Sequence, residues 1–182
     1  MEHDADCDVL VVGRSYAGLA AALMAGRARR AVLVVGDGGP RNEAVSHVHG
    51  YPTRDGASPA ELIAEAEREL ERYPNVRLET GRVTELTGSL GRFEVRFGPQ
   101  RTTAATVILA TGVNDATPPV PGLAEHWGRG VFTCPFCDGW EHQDLPVGVI
   151  GPRAPHLAQV LTGWTDRITV FAEAGDEELL AA

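Results

Sequence analysis

The segment Val9-Leu10-Val11-Val12-Gly13 constrains this chain more than any other. Four apolar residues in a row, without polar alternation, describe a strand buried on both faces, and such strands belong to parallel sheets. Gly13-Arg14-Ser15-Tyr16-Ala17-Gly18 follows at once. An Ala- and Leu-rich stretch from Leu19 to Arg30 then reads as a helix, and Ala31 to Val35 is a second apolar run. Strand, turn, helix and strand in this order form a βαβ unit, which places the chain in the α/β class.

The turn has the form G-x-S-x-x-G, a dinucleotide fingerprint with Ser15 at the middle glycine position. Gly13 permits the tight turn, and Gly18 lets the helix pack closely on the strand. Ser15 is small enough to let the backbone approach phosphates. The helix N-terminus offers free N–H groups and the positive end of its dipole to a pyrophosphate. In this motif an acid closing the second strand holds the ribose hydroxyls. Asp37, in Gly36-Asp37-Gly38-Gly39, lies near that place. An ordinary glycine-containing turn, and a surface acid at Asp37, are the bland alternatives.

Further along, Ser58-Pro59-Ala60-Glu61 is a capping box with proline at the first helical position. Leu62, Ile63, Ala66 and Leu70 then recur at helical spacing, up to Tyr73-Pro74. Short β segments are expected at Arg77–Glu79, Arg82–Leu86 and Phe93–Phe97, and Thr106 to Ala110 reads as another buried strand, ending at Thr111-Gly112. Thr117-Pro118-Pro119-Val120-Pro121-Gly122 reads as a domain boundary. Val147-Gly148-Val149-Ile150-Gly151 echoes the first strand and turn, so a second Rossmann-like unit is expected to begin there. His47 and His49 share a loop; with no carboxylate or cysteine close in sequence, hydrogen bonding there is a better reading than a metal site.

Cys134-Pro135-Phe136-Cys137-Asp138-Gly139 is the sharpest chemical signal. Two thiols separated by two residues can close a disulfide within one turn, and such motifs lower one thiol's pKa for exchange. Pro135 stiffens the loop, and Asp138 is placed to act as general acid or base for the leaving thiol. Zinc is the rival reading, but a structural site takes four ligands, and here only Cys7 and His142 are available beyond the pair. Catalysis at Cys134, Cys137 and Asp138 with no metal is therefore the expectation. Cys7, just before the first strand, reads as a small buried residue.

Composition excludes several classes. A formal net charge of -9 argues against a nucleic-acid partner, which requires a basic footprint. No run approaches the roughly 18 apolar residues of a membrane span. The acidic start, with Glu2, Asp4, Asp6 and Asp8, is unlike a signal peptide. With three cysteines and no secretory leader, a cytoplasmic setting is expected.

Taken in order, the blocks Gly13–Leu19, Pro40-Arg41-Asn42, His47–Gly50, Ala110-Thr111-Gly112 and Cys134–Glu141 resemble the low-molecular-weight thioredoxin reductases. The likeness extends to their relatives, the dithiol oxidases of gliotoxin- and holomycin-type natural products. The resemblance implies a Rossmann-type FAD-binding domain over residues 1–115 and an incomplete second nucleotide-binding, redox-disulfide domain over 116–182. It implies FAD, with Gly13, Arg14, Ser15, Tyr16, Ala17 and Gly18 at the pyrophosphate. Asp37, Arg41, Asn42 and His47 would lie along the ribose and flavin, Val83 at the adenine, and Ala110, Thr111 and Gly112 near the flavin. Cys134 and Cys137 would exchange electrons with the flavin and, beyond it, with a thioredoxin-like protein or a small dithiol. A homodimer is an assembly the resemblance allows.

Three departures stand out. The family's ribose acid ends the second strand, where this chain has Gly36, so Asp37 comes one place late. The second turn, Gly151-Pro152-Arg153-Ala154-Pro155-His156, lacks a middle glycine, which puts NADPH binding in doubt. The sequence stops at Ala182, before the returning segment expected to complete the FAD domain, and a catalytically silent, truncated remnant is the alternative reading.

Overall fold

In a computed structural model, described here over residues 5–171, the first apolar run forms β1 (Cys7–Val12) and the second forms β2 (Val32–Gly36). The intervening helix α1 spans Tyr16–Arg27. It begins three residues before the apolar stretch because Ser15, in extended conformation, is its N-cap, and it ends before Arg29, whose φ is 60°. Helix α2 (Pro59–Leu70) starts with the full capping box: Ser58 Oγ accepts from the Glu61 N–H, and the Glu61 carboxylate accepts from the Ser58 N–H. It is followed by β3 (Val76–Thr80), β4 (Val83–Ser89), β5 (Arg92–Phe97) and β6 (Gln100–Leu109).

These six strands make one sheet in the order β3-β2-β1-β6-β5-β4. β3, β2, β1 and β6 run parallel, whereas β4 and β5 are antiparallel additions. β1 lies between β2 and β6, with Val11 opposite Val34 on one side and Ile108 on the other. Its uninterrupted apolar character follows from this position. Leu10 and Val12 pack with Leu33, Val35, Val95 and Phe97, while Val11 packs with Val32, Val34, Leu19 and Leu70 in a second cluster. Burying each such side chain contributes about 1.5–3 kcal/mol. Residues 100–105, not expected to be extended, lengthen β6: Gln100 to Ala104 pair antiparallel with β5, and from Ala104 onward the strand pairs with β1.

The chain divides into two compact units, Met1–Glu43 with Ser58–Asp115, and Ala44–Ala57 with Ala116–Ala182. The sheet belongs to the first. Residues 44–57, which the sequence places in the first segment, make their contacts with the second unit: His49 faces Glu141, and the Gly128 backbone packs on Ala44 so closely that a Cβ there would lie 2.7 Å from the Ala44 carbonyl. In the second unit a 3-10 turn at Ala124–His126 and a short helix α3 (Pro135–Asp138) precede β7 (Val147–Ile150), α4 (Ala154–Leu161) and β8 (Ile168–Phe171). β7 and β8 pair in parallel across α4, a second βαβ unit with its own small core of Val149, Ala154 and Leu161.

Candidate functional site

In the first unit the Gly13–Gly18 turn is built by close backbone approach. Gly13 has φ 118°, and a Cβ there would sit 2.0 Å from the Ala110 carbonyl oxygen. Only glycine meets both demands. A Cβ on Gly18 would sit 1.8 Å from the Gly13 carbonyl oxygen, so the first turn of α1 lies directly on the loop. The Gly13 N–H donates to Val35 O, and the Ala110 N–H to Val12 O, which brings the turn and the end of β6 together. Ser15 makes no side-chain cap, and the first turn of α1 carries no acid. Its N-terminal N–H groups and dipole are therefore left without a competing side-chain acceptor, as a pyrophosphate requires. These residues fit the phosphates of a dinucleotide such as FAD.

The flanking side chains are tied in pairs. Arg14 Nε donates to Glu67 of α2 at 2.5 Å, and its Nη1 donates to Thr80 Oγ1 at 3.1 Å. The Arg14 side chain is thus engaged with the protein, which leaves its backbone to face a ligand. Arg41 holds Asp115 through both Nε and Nη2, and that pairing keeps the Asp115 carboxyl below the usual carboxylate range. The Tyr16 hydroxyl hydrogen-bonds Asn42, while burial of the ring side pushes its pKa up. Asp37 accepts from Arg82 Nε at 3.0 Å. The displaced acid has a steric reason: a Cβ on Gly36 would lie 2.6 Å from the Arg14 backbone nitrogen, so the last position of β2 has no room for a side chain. Val83 is half-buried against the β1–β6 cluster, and Thr111 and Gly112 are exposed just past Ala110. His47 belongs to the second unit, exposed, with its ring centroid 6.3 Å from that of His49.

In the second unit Cys134 is the extended N-cap of α3 and Cys137 lies in its single turn. The N–H groups of Cys137 and Asp138 both donate to the Cys134 carbonyl, at 3.2 and 3.3 Å, so the pair is folded into one turn. Pro135, at the first helical position, fixes φ there and gives up no needed N–H. Cys134 is half-buried and Cys137 exposed. Cys134, Asp138 and His142 line a cavity of about 280 Å³ walled mainly by apolar groups, among them Phe132, Leu157 and Trp164. Burial in this wall raises the Asp138 carboxyl above its ordinary value of 3.8; His142 and His49 oppose the rise and Glu141 adds to it. A carboxyl held toward its neutral form can give a proton to a departing thiolate. Cys7 is different: it is buried, and burial pushes its thiol up to about 11.

Several partners were not foreseen from sequence: Glu67, Thr80, Arg82 and Asp115 lie far along the chain from the residues they hold. His142 carried a legible signal, since it stands four residues after Asp138 and its Nδ1 lies 2.8 Å from the Asp138 carbonyl oxygen. Among the described residues no group of three or more His, Cys, Asp or Glu is arranged to hold a metal ion.

The similarities of the chain agree with this geometry. It is 38% identical over 152 residues to a probable thioredoxin reductase of Arthroderma benhamiae, a match covering 80% of this chain and 38% of the relative. An oxidoreductase from Agrobacterium tumefaciens, known from its crystal structure, superposes with a TM-score of 0.89 at 45% identity, covering 96% of this chain and 61% of that one. The structure of HlmI gives 0.88 at 34% identity, covering 100% of this chain and 60% of that one. The chain thus spans less than two thirds of the length of these relatives. The pyridine nucleotide-disulphide oxidoreductase family model matches residues 7–177, almost the whole sequence. The chain belongs to the pyridine nucleotide-disulphide oxidoreductase family.

Proposed function

We propose that this chain is the flavin- and disulfide-bearing part of an FAD-dependent thiol–disulfide oxidoreductase. One observation carries the reading: Cys134 and Asp138, whose carboxyl burial raises above its ordinary value, share one cavity wall, with Cys137 one helical turn away. The uncapped α1 N-terminus and the Gly13 turn would hold the FAD pyrophosphate, and Tyr16, Asn42, Arg41 and Ala110 to Gly112 would flank it. When bound, FAD supplies a two-electron store that can reduce, or be reduced by, the cysteine pair.

The chain's own steps are thiol chemistry. A substrate thiolate attacks Sγ of Cys134 in the Cys134–Cys137 disulfide. The S–S bond breaks, and Cys137 leaves as a thiolate that takes the Asp138 proton. A second substrate thiol resolves the mixed disulfide, leaving the substrate oxidised and the pair reduced; the reverse sequence reduces a disulfide substrate. The electron partner beyond the flavin is NADPH or oxygen, and the substrate is a thioredoxin-like protein or a small dithiol. The β7–α4–β8 unit supports a nucleotide in the second unit, although Arg153 stands in its turn with no side-chain cap. A silent remnant is the less favoured alternative, because the named relatives are reductases. Among the described residues no helix is long and apolar enough to cross a membrane, and a cytoplasmic setting with assembly as a homodimer completes the reading.

The test is mass spectrometry of alkylated protein with and without mild oxidation. The expected product is a reversible Cys134–Cys137 disulfide with Cys7 still a thiol. A disulfide that includes Cys7, or two thiols persisting at 134 and 137, would overturn the proposal.

A further inference from the structure

We infer that His142 is a second acid–base group of the redox site, receiving the proton of a small thiol that enters the cavity beside Cys134. The inference rests on the reading of Cys134–Cys137 as a redox pair and adds a residue to it.

Three observations carry it. His142 lines the same cavity as Cys134 and Asp138, whereas Cys137 does not line it. A thiol entering that cavity has both Cys134 and the imidazole in its walls. Next, His142 Nδ1 lies 2.8 Å from the Asp138 backbone carbonyl oxygen. A carbonyl can only accept, so Nδ1 carries the proton and donates it. In the neutral ring Nε2 is then the bare, basic nitrogen. Finally, the ring is held from the side by Phe132, with centroids 4.8 Å apart. Tautomer and orientation are thus both set by the protein, the arrangement that turns a histidine into a directed base.

The charged and titratable groups around it are Asp138 and Glu141 on its own segment, Cys134 in the same cavity wall, and His49 from the 44–57 loop. His49 is itself 3.5 Å from Glu141 and from Asp55. Asp138 and His142 then divide the work. His142 Nε2 takes the proton of the incoming thiol as its sulfur bonds to Sγ of Cys134. The Cys134–Cys137 bond breaks, its electron pair goes to Sγ of Cys137, and Asp138 protonates that sulfur. When the second substrate thiol resolves the mixed disulfide, its proton returns to the Asp138 carboxylate, and the departing Cys134 thiolate takes the proton from His142. The substrate loses two electrons and two protons, and the cysteine pair gains them; the oxidant is the protein's own disulfide.

Dithiothreitol is the probe. The oxidised chain, freed of oxidant, is mixed with dithiothreitol between pH 5.5 and 9, quenched by alkylation and read by mass spectrometry as the fraction of pair reduced. His142→Asn is the main variant, since its side-chain amide can keep the donor bond to the Asp138 carbonyl while removing the base; His142→Ala is the second. The expected result is a wild-type rate about tenfold or more above both variants at the acidic end, with one ionisation lost from the pH–rate profile of each. Wild-type behaviour in His142→Asn with a slow His142→Ala would mean a structural role and overturn the inference. So would profiles that superimpose in all three. Failure of the wild-type pair to form a disulfide at all would instead overturn the redox-pair reading, and this inference with it.

Discussion

Replacing Gly18 by alanine sets two effects of opposite sign against each other. Gly18 is the third residue of α1, and glycine within a helix costs about 1 kcal/mol relative to alanine. Helix propensity alone therefore predicts that Gly18→Ala stabilises. The added Cβ, however, would lie 1.8 Å from the Gly13 carbonyl oxygen and 3.3 Å from Val11 Cγ1. An unstrained carbon–oxygen contact is about 3.3 Å, so helix and turn must part by about 1.5 Å. Both partners are backbone or buried core, and neither can turn aside as a flexible side chain would. Parting them strains a packed site, at about 1–3 kcal/mol, and loosens Leu19 and Ala22, now 2% and 0% exposed. Partial loss of a leucine's burial adds about 1–2 kcal/mol. The net expectation is destabilisation by about 2–3 kcal/mol, with weaker FAD binding because the turn is displaced. Urea unfolding followed by far-UV circular dichroism measures it. All three tryptophans, Trp127, Trp140 and Trp164, lie in the second unit, so their fluorescence reports on that unit separately. An unchanged or higher midpoint would show that the close approach at Gly18 does not exist.

Other consequences can be checked directly. Cys7, buried with its thiol pushed up to about 11, should resist alkylation in the folded chain at pH 8, while Cys134 and Cys137 react and urea exposes all three; mass spectrometry reads the modified sites. Asp138→Asn should change stability in a pH-dependent direction. Burial raises the folded carboxyl above its unfolded value, so the native state favours the proton, and stability from this group is present at low pH and lost as pH rises through the folded pKa. The variant should therefore match the parent near pH 3 and equal or exceed it in unfolding midpoint at pH 7; a variant less stable only at pH 7 would reverse the assignment. Ser58→Ala removes the side-chain acceptor of the α2 capping box and should lower stability by about 1 kcal/mol in denaturant titration.

What was legible in the sequence was whatever local pattern decides. The apolar run Val9–Val12, the glycine turn and the Ser58 capping box each report their structure within a few residues, and the folded chain shows all three. Cys134 to Asp138 read as one chemical unit because one helical turn gathers them. The misplaced limits were set by long-range pairing. The early part of β6 is extended only because β5 lies beside it, and residues 44–57 join the second unit through contacts with residues nearly a hundred positions away. The same holds for the partners of the Gly13–Gly18 turn. Nothing near Arg14 in sequence announces Glu67 or Thr80, and the reason Gly36 bears no acid appears only when the Arg14 backbone is found resting on it.

The central claim is that the cysteine pair and a flavin held by this chain exchange electrons. The direct measurement is anaerobic: saturate the purified chain with FAD, add dithiothreitol, and follow flavin absorbance in the visible band. Wild type should bleach faster than free FAD under the same conditions, and Cys134→Ser and Cys137→Ser should each return the rate to that of free FAD. Bleaching that is no faster than free FAD, or that survives both substitutions, would contradict the account.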